Sequence, residues 1–115
     1  MSTDREARAL VGAAADLTGP EQAVRATLEH RALSFDYQGL RRTVEPHLVG
    51  IHETGEALLV AYQTGGGSKS GDVPGWRTFA TDKMEAVEIA DQLFPSPRPD
   101  FNLTAHAMVE IFARA

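Results

Sequence analysis

The sequence predicts a single α+β domain in which helices flank a small, strongly bent antiparallel sheet. Three observations predict it. Alanine- and charge-rich segments with helical spacing run to Arg31, short period-two segments follow from Leu33 to Ile89, and helical spacing returns after Phe101. A chain of 115 residues suits one core. Its expected divisions are an arm or helix over 1–19, a helix plus sheet over 20–89, and a proline connector with a C-terminal helix over 90–115.

The first segment places Ala7, Leu10, Val11, Ala14 and Leu17 on one helical face and carries no chemistry, so it reads as a packing or dimerisation arm. Thr18-Gly19-Pro20-Glu21 starts the next helix. Thr18 caps it, proline suits the first turn, and Glu21 stands three residues after the cap as a capping box requires. This helix is expected to end near His30 or Arg31 and to bury Val24 and Leu28. His30 suits the negative end of the helix dipole.

From Leu33 the period becomes two, with Leu33, Phe35 and Tyr37 on one face and Gln38-Gly39 as a tight turn. Arg41–His52 carries Val44, Pro46 and Leu48 in one phase, then Val49 and Ile51 in the other. Such a strand must bend, and Gly50 suits a bulge. After a turn at Glu53-Thr54-Gly55-Glu56, the nearly unbroken apolar run from Ala57 to Tyr62 predicts a central strand. A glycine-rich loop over 65–75 leads to strands at Trp76–Ala80 and Met84–Ile89, separated by Thr81-Asp82-Lys83. Pro95, Pro97 and Pro99 then make a stiff connector. Phe101–Ala115 is expected to be helical, with Leu103, Ala107, Met108, Ile111 and Phe112 as its apolar stripe. Five bent strands behind a helix predict a small barrel of the SH3 or Sm type, because closure hides the sheet edges.

Composition narrows the function. There is no cysteine, which excludes disulfides, thiolate metal sites and thiol nucleophiles. The start Met1-Ser2-Thr3-Asp4-Arg5-Glu6 is not a signal peptide and no segment is long enough to span a bilayer, so a cytoplasmic location is expected. Eleven basic against 16 acidic residues leave a formal charge of −5, which argues against duplex DNA as a partner of this chain alone.

The strongest chemical signal is Trp76-Arg77-Thr78-Phe79-Ala80-Thr81-Asp82-Lys83. As a strand it sets Arg77 and Phe79 on one face and Trp76 and Thr78 on the other. Arg77 with Lys83, joined by Arg41 or Arg42, suggests an anion site. Other chemistries are weaker. The loop lysine in Gly65-Gly66-Gly67-Ser68-Lys69-Ser70 lacks the Walker spacing, since Gln63 and Ser68 occupy the two glycine positions. His47 and His52 with Glu45 and Glu53 do not make a third metal ligand converge. Ser34 and Ser70 lack a nucleophile elbow, and Asp36 with Glu45 reads as sheet-face charge rather than an acid/base pair. No enzyme activity and no cofactor are expected.

Leu33-Ser34-Phe35-Asp36-Tyr37-Gln38-Gly39, Arg42-Thr43-Val44-Glu45-Pro46-His47, Gly55-Glu56-Ala57-Leu58-Leu59-Val60-Ala61-Tyr62 and Trp76 to Val87 resemble, in order and spacing, the WYL domain family over about residues 21–89. The resemblance implies an Sm-like SH3 barrel from bacterial transcription regulators. It implies a sensor of nucleotides or single-stranded nucleic acid, with Arg77, Lys83 and Tyr37 at the ligand, and the cation reading above adds Arg42 to that set. Lys83 stands where the family usually has arginine, and Ala57-Leu58-Leu59 replaces the naming tripeptide. No helix-turn-helix unit fits before residue 20, so the chain reads as a standalone, divergent member. The expected partners are a nucleotide or single strand, with a homodimer or protein partner as the alternative.

Overall fold

The computed structural model describes residues 17–68, 73–95 and 97–115. Residues 1–16 of the expected arm lie outside them, as do Lys69 and Ser70. The described chain is one α-helix and a six-stranded antiparallel sheet. Helix α1 is Gly19–Glu29, and the strands are β1 Arg31–Tyr37, β2 Leu40–His52, β3 Ala57–Gly66, β4 Gly75–Ala80, β5 Glu85–Leu93 and β6 Met108–Arg114. Thr81–Lys83 and Leu103–His106 form short 3-10 turns.

Helix α1 starts as expected. The Thr18 hydroxyl accepts from the Glu21 N–H at 3.3 Å, while the Glu21 carboxylate accepts from the Thr18 N–H at 3.0 Å. These bonds hold the Glu21 carboxyl below its usual range. The face packed on the sheet is narrower than expected. Ala23, Ala26 and Thr27 are buried, whereas Leu28 is 61% exposed. Small residues let the helix lie close to the strands, leaving the leucine outside.

The strand order is β4-β3-β2-β1-β5, with β6 joined to β2. The expected count of five strands therefore becomes six. The path has β4 and β5 at its ends with no ladder between them, so the sheet is open in the described residues. It is nevertheless curled: the Ala80 N–H donates to the Tyr37 hydroxyl at 3.0 Å, reaching from β4 to β1 across the inner face.

Strand β2 organises the sheet. Strand β3 follows it from Arg42 to Ile51, while its remaining partners are β1 at Leu40–Val44 and β6 at Leu48–His52. Pro46, which has no N–H to donate, sits where β2 has left β1 and not yet met β6. The predicted bend is present, but its extra residue is His47, skipped between the pairs Pro46↔Ala61 and Leu48↔Val60. Gly50 has another purpose. An added Cβ there would collide with the Glu110 carbonyl oxygen, so glycine admits the backbone of β6.

The C-terminal helix is a correction. Only Leu103–His106 coils, and Ala107 at φ 52° ends it in the left-handed region. Met108–Arg114 then pairs with the unoccupied stretch of β2. Its Val109, Ile111 and Phe112 suit a strand, and the hydrogen-bonding demand of β2 overrides the helical spacing.

The inner core lies between α1 and the sheet and contains Leu33, Phe35, Val44, Val49, Leu59, Ala61, Phe79 and Met84. Phe79 meets Phe35 and Tyr37 edge-on, both with ring centroids at 4.9 Å. Leu59, Val60 and Ala61 are buried in succession, as a central strand covered on both faces requires. On the outer face Phe94 and Phe101 pack against His47, and Arg98 lies over Tyr62.

Candidate functional site

Alternation along the strands brings four polar side chains to one end of the inner face. Arg42 shares a phase with core residue Val44, Gln63 with Ala61, Arg77 with Phe79, and Tyr37 with Phe35. Arg42 is the deepest cation among the described residues, at 3% exposure. Its guanidinium reaches neutral oxygens only: Oε1 of Gln63 at 3.5 Å, the Tyr37 carbonyl at 3.2 Å and Oε1 of Gln38 at 3.5 Å. It lies over the rings of Tyr37 and Phe79, 5.7 and 5.8 Å from their centroids. Its Nε has no hydrogen-bond partner.

A buried guanidinium without a carboxylate is costly, since the lost hydration is not replaced by a counter-charge. Burial first, and the neighbouring Arg77 cation second, pull the Arg42 pKa below its ordinary value. Arg77 is half-buried, and its Nη1 donates to the Trp76 carbonyl at 2.8 Å. The Arg42 guanidinium is thus a positive centre beside Arg77, inside a chain of net negative charge.

The structure brings Arg42, Arg77 and Tyr37 together. The Tyr37 hydroxyl accepts from the Ala80 N–H, while its ring and carbonyl help set the position of Arg42. Lys83 is exposed at the end of the 3-10 turn after β4 and makes no hydrogen bond or ion pair to the other three. Arg41 turns the opposite way, pairing with Asp36 at 3.2 Å and with Glu88. Gln63 is a neighbour of Arg42 that sequence pattern alone does not single out. Its available signal was a polar side chain in the inward phase of an otherwise apolar central strand.

The outer face holds the histidines. Nδ1–H of His47 donates to the Glu45 carbonyl at 2.8 Å, and Nε2 accepts from the Arg98 N–H at 3.0 Å, which fixes the neutral tautomer. His47 packs against Trp76, Phe94 and Phe101. Glu45 is held by both Nε and Nη2 of Arg98, at 2.8 and 3.3 Å, and Arg98 lies 3.7 Å from the centre of the Tyr62 ring. Trp76 donates to Asp100 at 2.8 Å. These residues bind the connector to the sheet. Among the described residues no group of three or more histidine, aspartate or glutamate side chains could hold a metal. Asp36 and Glu45 are separated too, one paired with Arg41 and the other with Arg98.

A family model, that of the WYL domain, matches residues 21–89, which covers α1 and the first five strands apart from the end of β5. No curated protein and no solved structure matches the chain.

Proposed function

We infer that this chain, which belongs to the WYL domain family, is a ligand-sensing module whose ligand is an anion held by Arg42 and Arg77. The observation that carries this reading is the buried Arg42 guanidinium, with only neutral oxygen partners, an unpaired Nε and a second cation beside it. An incoming phosphate or carboxylate supplies the missing acceptor and counter-charge in one step. Lys83, exposed in the turn beyond β4, is assigned the outer position, where it contacts the far end of a longer anion.

The inner-face rings of Phe35, Tyr37 and Phe79 pack on one another, and Trp76 and Tyr62 serve the outer face. That arrangement favours a phosphate-bearing small molecule such as a nucleotide over a stacked single strand. The strand order behind a helix, the 3-10 turn between β4 and β5, and the Tyr37–Ala80 bond support an incompletely closed, Sm-like barrel. The proposed setting is bacterial transcription regulation in the cytoplasm, without catalysis.

Calorimetric titration with ATP, inorganic pyrophosphate and a short oligothymidine tests the reading. Wild type is expected to bind ATP and pyrophosphate, Arg77→Gln and Arg42→Met to weaken both by at least about tenfold, and Lys83→Ala to weaken ATP more than pyrophosphate. Equal, negligible binding by wild type and both arginine variants would sink it.

A second reading, self-association, rests on β6, where Val109 is 69% exposed, Ile111 45% and Phe112 46%. Glu110 and Arg114 on the same strand make no ion pair in the described residues. A second copy meeting antiparallel about Phe112 would set Glu110 against Arg114 of the partner subunit. Sedimentation of wild type and Phe112→Lys separates the two readings, since a strictly monomeric wild type at high concentration excludes self-association.

A further inference from the structure

Gln63 lies in β3 on the inward phase and is wholly buried. A buried amide has to satisfy both a pair of donors and an acceptor. Here Nε2 donates to the carbonyl oxygens of Gly65 at 2.9 Å and Gly67 at 2.8 Å, while Oε1 faces Nη1 of Arg42 at 3.5 Å. The glycine end of β3 is held from the other side as well, by the Gly67 N–H donating to the Arg41 carbonyl at 2.9 Å. Gly66, at φ 83°, leaves no space for a Cβ between it and the backbone of Arg41 and Arg42. The glycine segment and the start of β2 therefore form one unit around the guanidinium, with Gln63 at its centre.

On the basis of the anion reading above, we propose that Gln63 is the positioning residue of that site: it holds the Arg42 guanidinium beside Arg77 without cancelling its charge. Chemistry explains why the residue is an amide. Glutamate has nearly the same shape, but its carboxylate would neutralise Arg42 and turn both glycine-directed donations into repulsions. Leucine would fill the space, but it would leave two carbonyl oxygens and one guanidinium N–H without their partner. Only a neutral group that donates twice and accepts once leaves the positive centre available to a ligand.

The test uses the full chain, with inorganic pyrophosphate as the probe, and compares wild type, Gln63→Glu, Gln63→Leu and Arg42→Ala. Affinity is read by calorimetry, fold by circular dichroism, and the glycine segment by amide hydrogen exchange at Gly67. Gln63→Glu is expected to remain folded and lose about a hundredfold in affinity. Gln63→Leu is expected to lose about tenfold, and in both variants Gly67 should exchange faster than in wild type. Loss of stability in both variants, with unchanged affinity in the folded fraction, would show a purely structural glutamine and overturn the proposal. If Arg42→Ala abolishes binding while both Gln63 variants bind like wild type, the anion site stands and the positioning role falls. If wild type and Arg42→Ala bind pyrophosphate equally, the anion reading fails and takes this proposal with it.

Discussion

His47 shows how one residue gives the outer face a dependence on pH. Its ring is wholly buried, its Nε2 accepts from the Arg98 N–H, and Glu45, Arg98 and His30 are the charged or titratable groups that act on it. Burial opposes the imidazolium and lowers its pKa, more than the Glu45 carbonyl and carboxylate raise it. The unfolded chain therefore takes up the proton first as pH falls. The stability held by neutral His47 is complete above the unfolded pKa of about 6.5 and is lost as pH falls through the lower folded value. Urea midpoints measured from pH 7.5 down to 5 should fall for wild type and fall less for His47→Asn. An identical slope in the two proteins would refute this role. The same residue scale shows what single positions reveal. Arg42, Arg77 and Tyr37 are legible as site candidates because cations and a tyrosine stand out in a β-rich sequence. The significance of Gln63 is not, because an amide gains meaning only from what its two ends reach.

Among the elements, α1 and β6 stand at opposite ends of legibility. The start of α1 is written in four adjacent residues, and its capping bonds are local. Thr18→Ala should lower the unfolding free energy by about 1 kcal/mol, read as a shift of the urea midpoint at constant slope. Strand β6 is defined instead by a partner about sixty residues earlier in the chain, at a register that skips Phe112 and Val109. Helical spacing in its sequence could not compete with that pairing. Gly50 is the point where the two strands approach, so Gly50→Val should destabilise the fold by about 1–3 kcal/mol through displacement of β6. Faster amide exchange at Ile111 and Ala113 than in β3 of the same variant would identify β6 as the element that moved. Unchanged protection there would contradict the assignment.

At the level of the whole molecule, charge is sorted by compartment. Arg25, Arg31, Arg41 and Arg98 each pair with a carboxylate at the surface or beneath the connector, whereas Arg42 is buried at the inner end of the sheet among neutral oxygens. Exposed pairs of this kind add little stability, yet they remove those arginines from any continuous basic face. With a formal charge of −5 over the chain, duplex DNA should show no retardation by this protein at physiological salt, even at tens of micromolar on the order of weak nonspecific binding. A clear mobility shift would contradict that expectation. The two faces of the sheet then divide the work: the inner face carries the core and the positive centre, and the outer face carries an aromatic cluster under the connector.

The sequence by itself determined the class, the family resemblance, the α1 cap, the order of the first five strands and the cations from which the anion proposal is built. Each of these rests on local spacing, short turns or side-chain type. Tertiary structure decided the rest: that the last segment is a strand, that the extra residue of β2 is His47, that Arg41 is neutralised while Arg42 is not, and that Gln63 lies between that cation and the glycine segment. The physical reason is that these outcomes depend on which distant backbone or charge arrives at a given position. Neighbouring residues in the sequence do not carry that information, and the curl of the sheet supplies it.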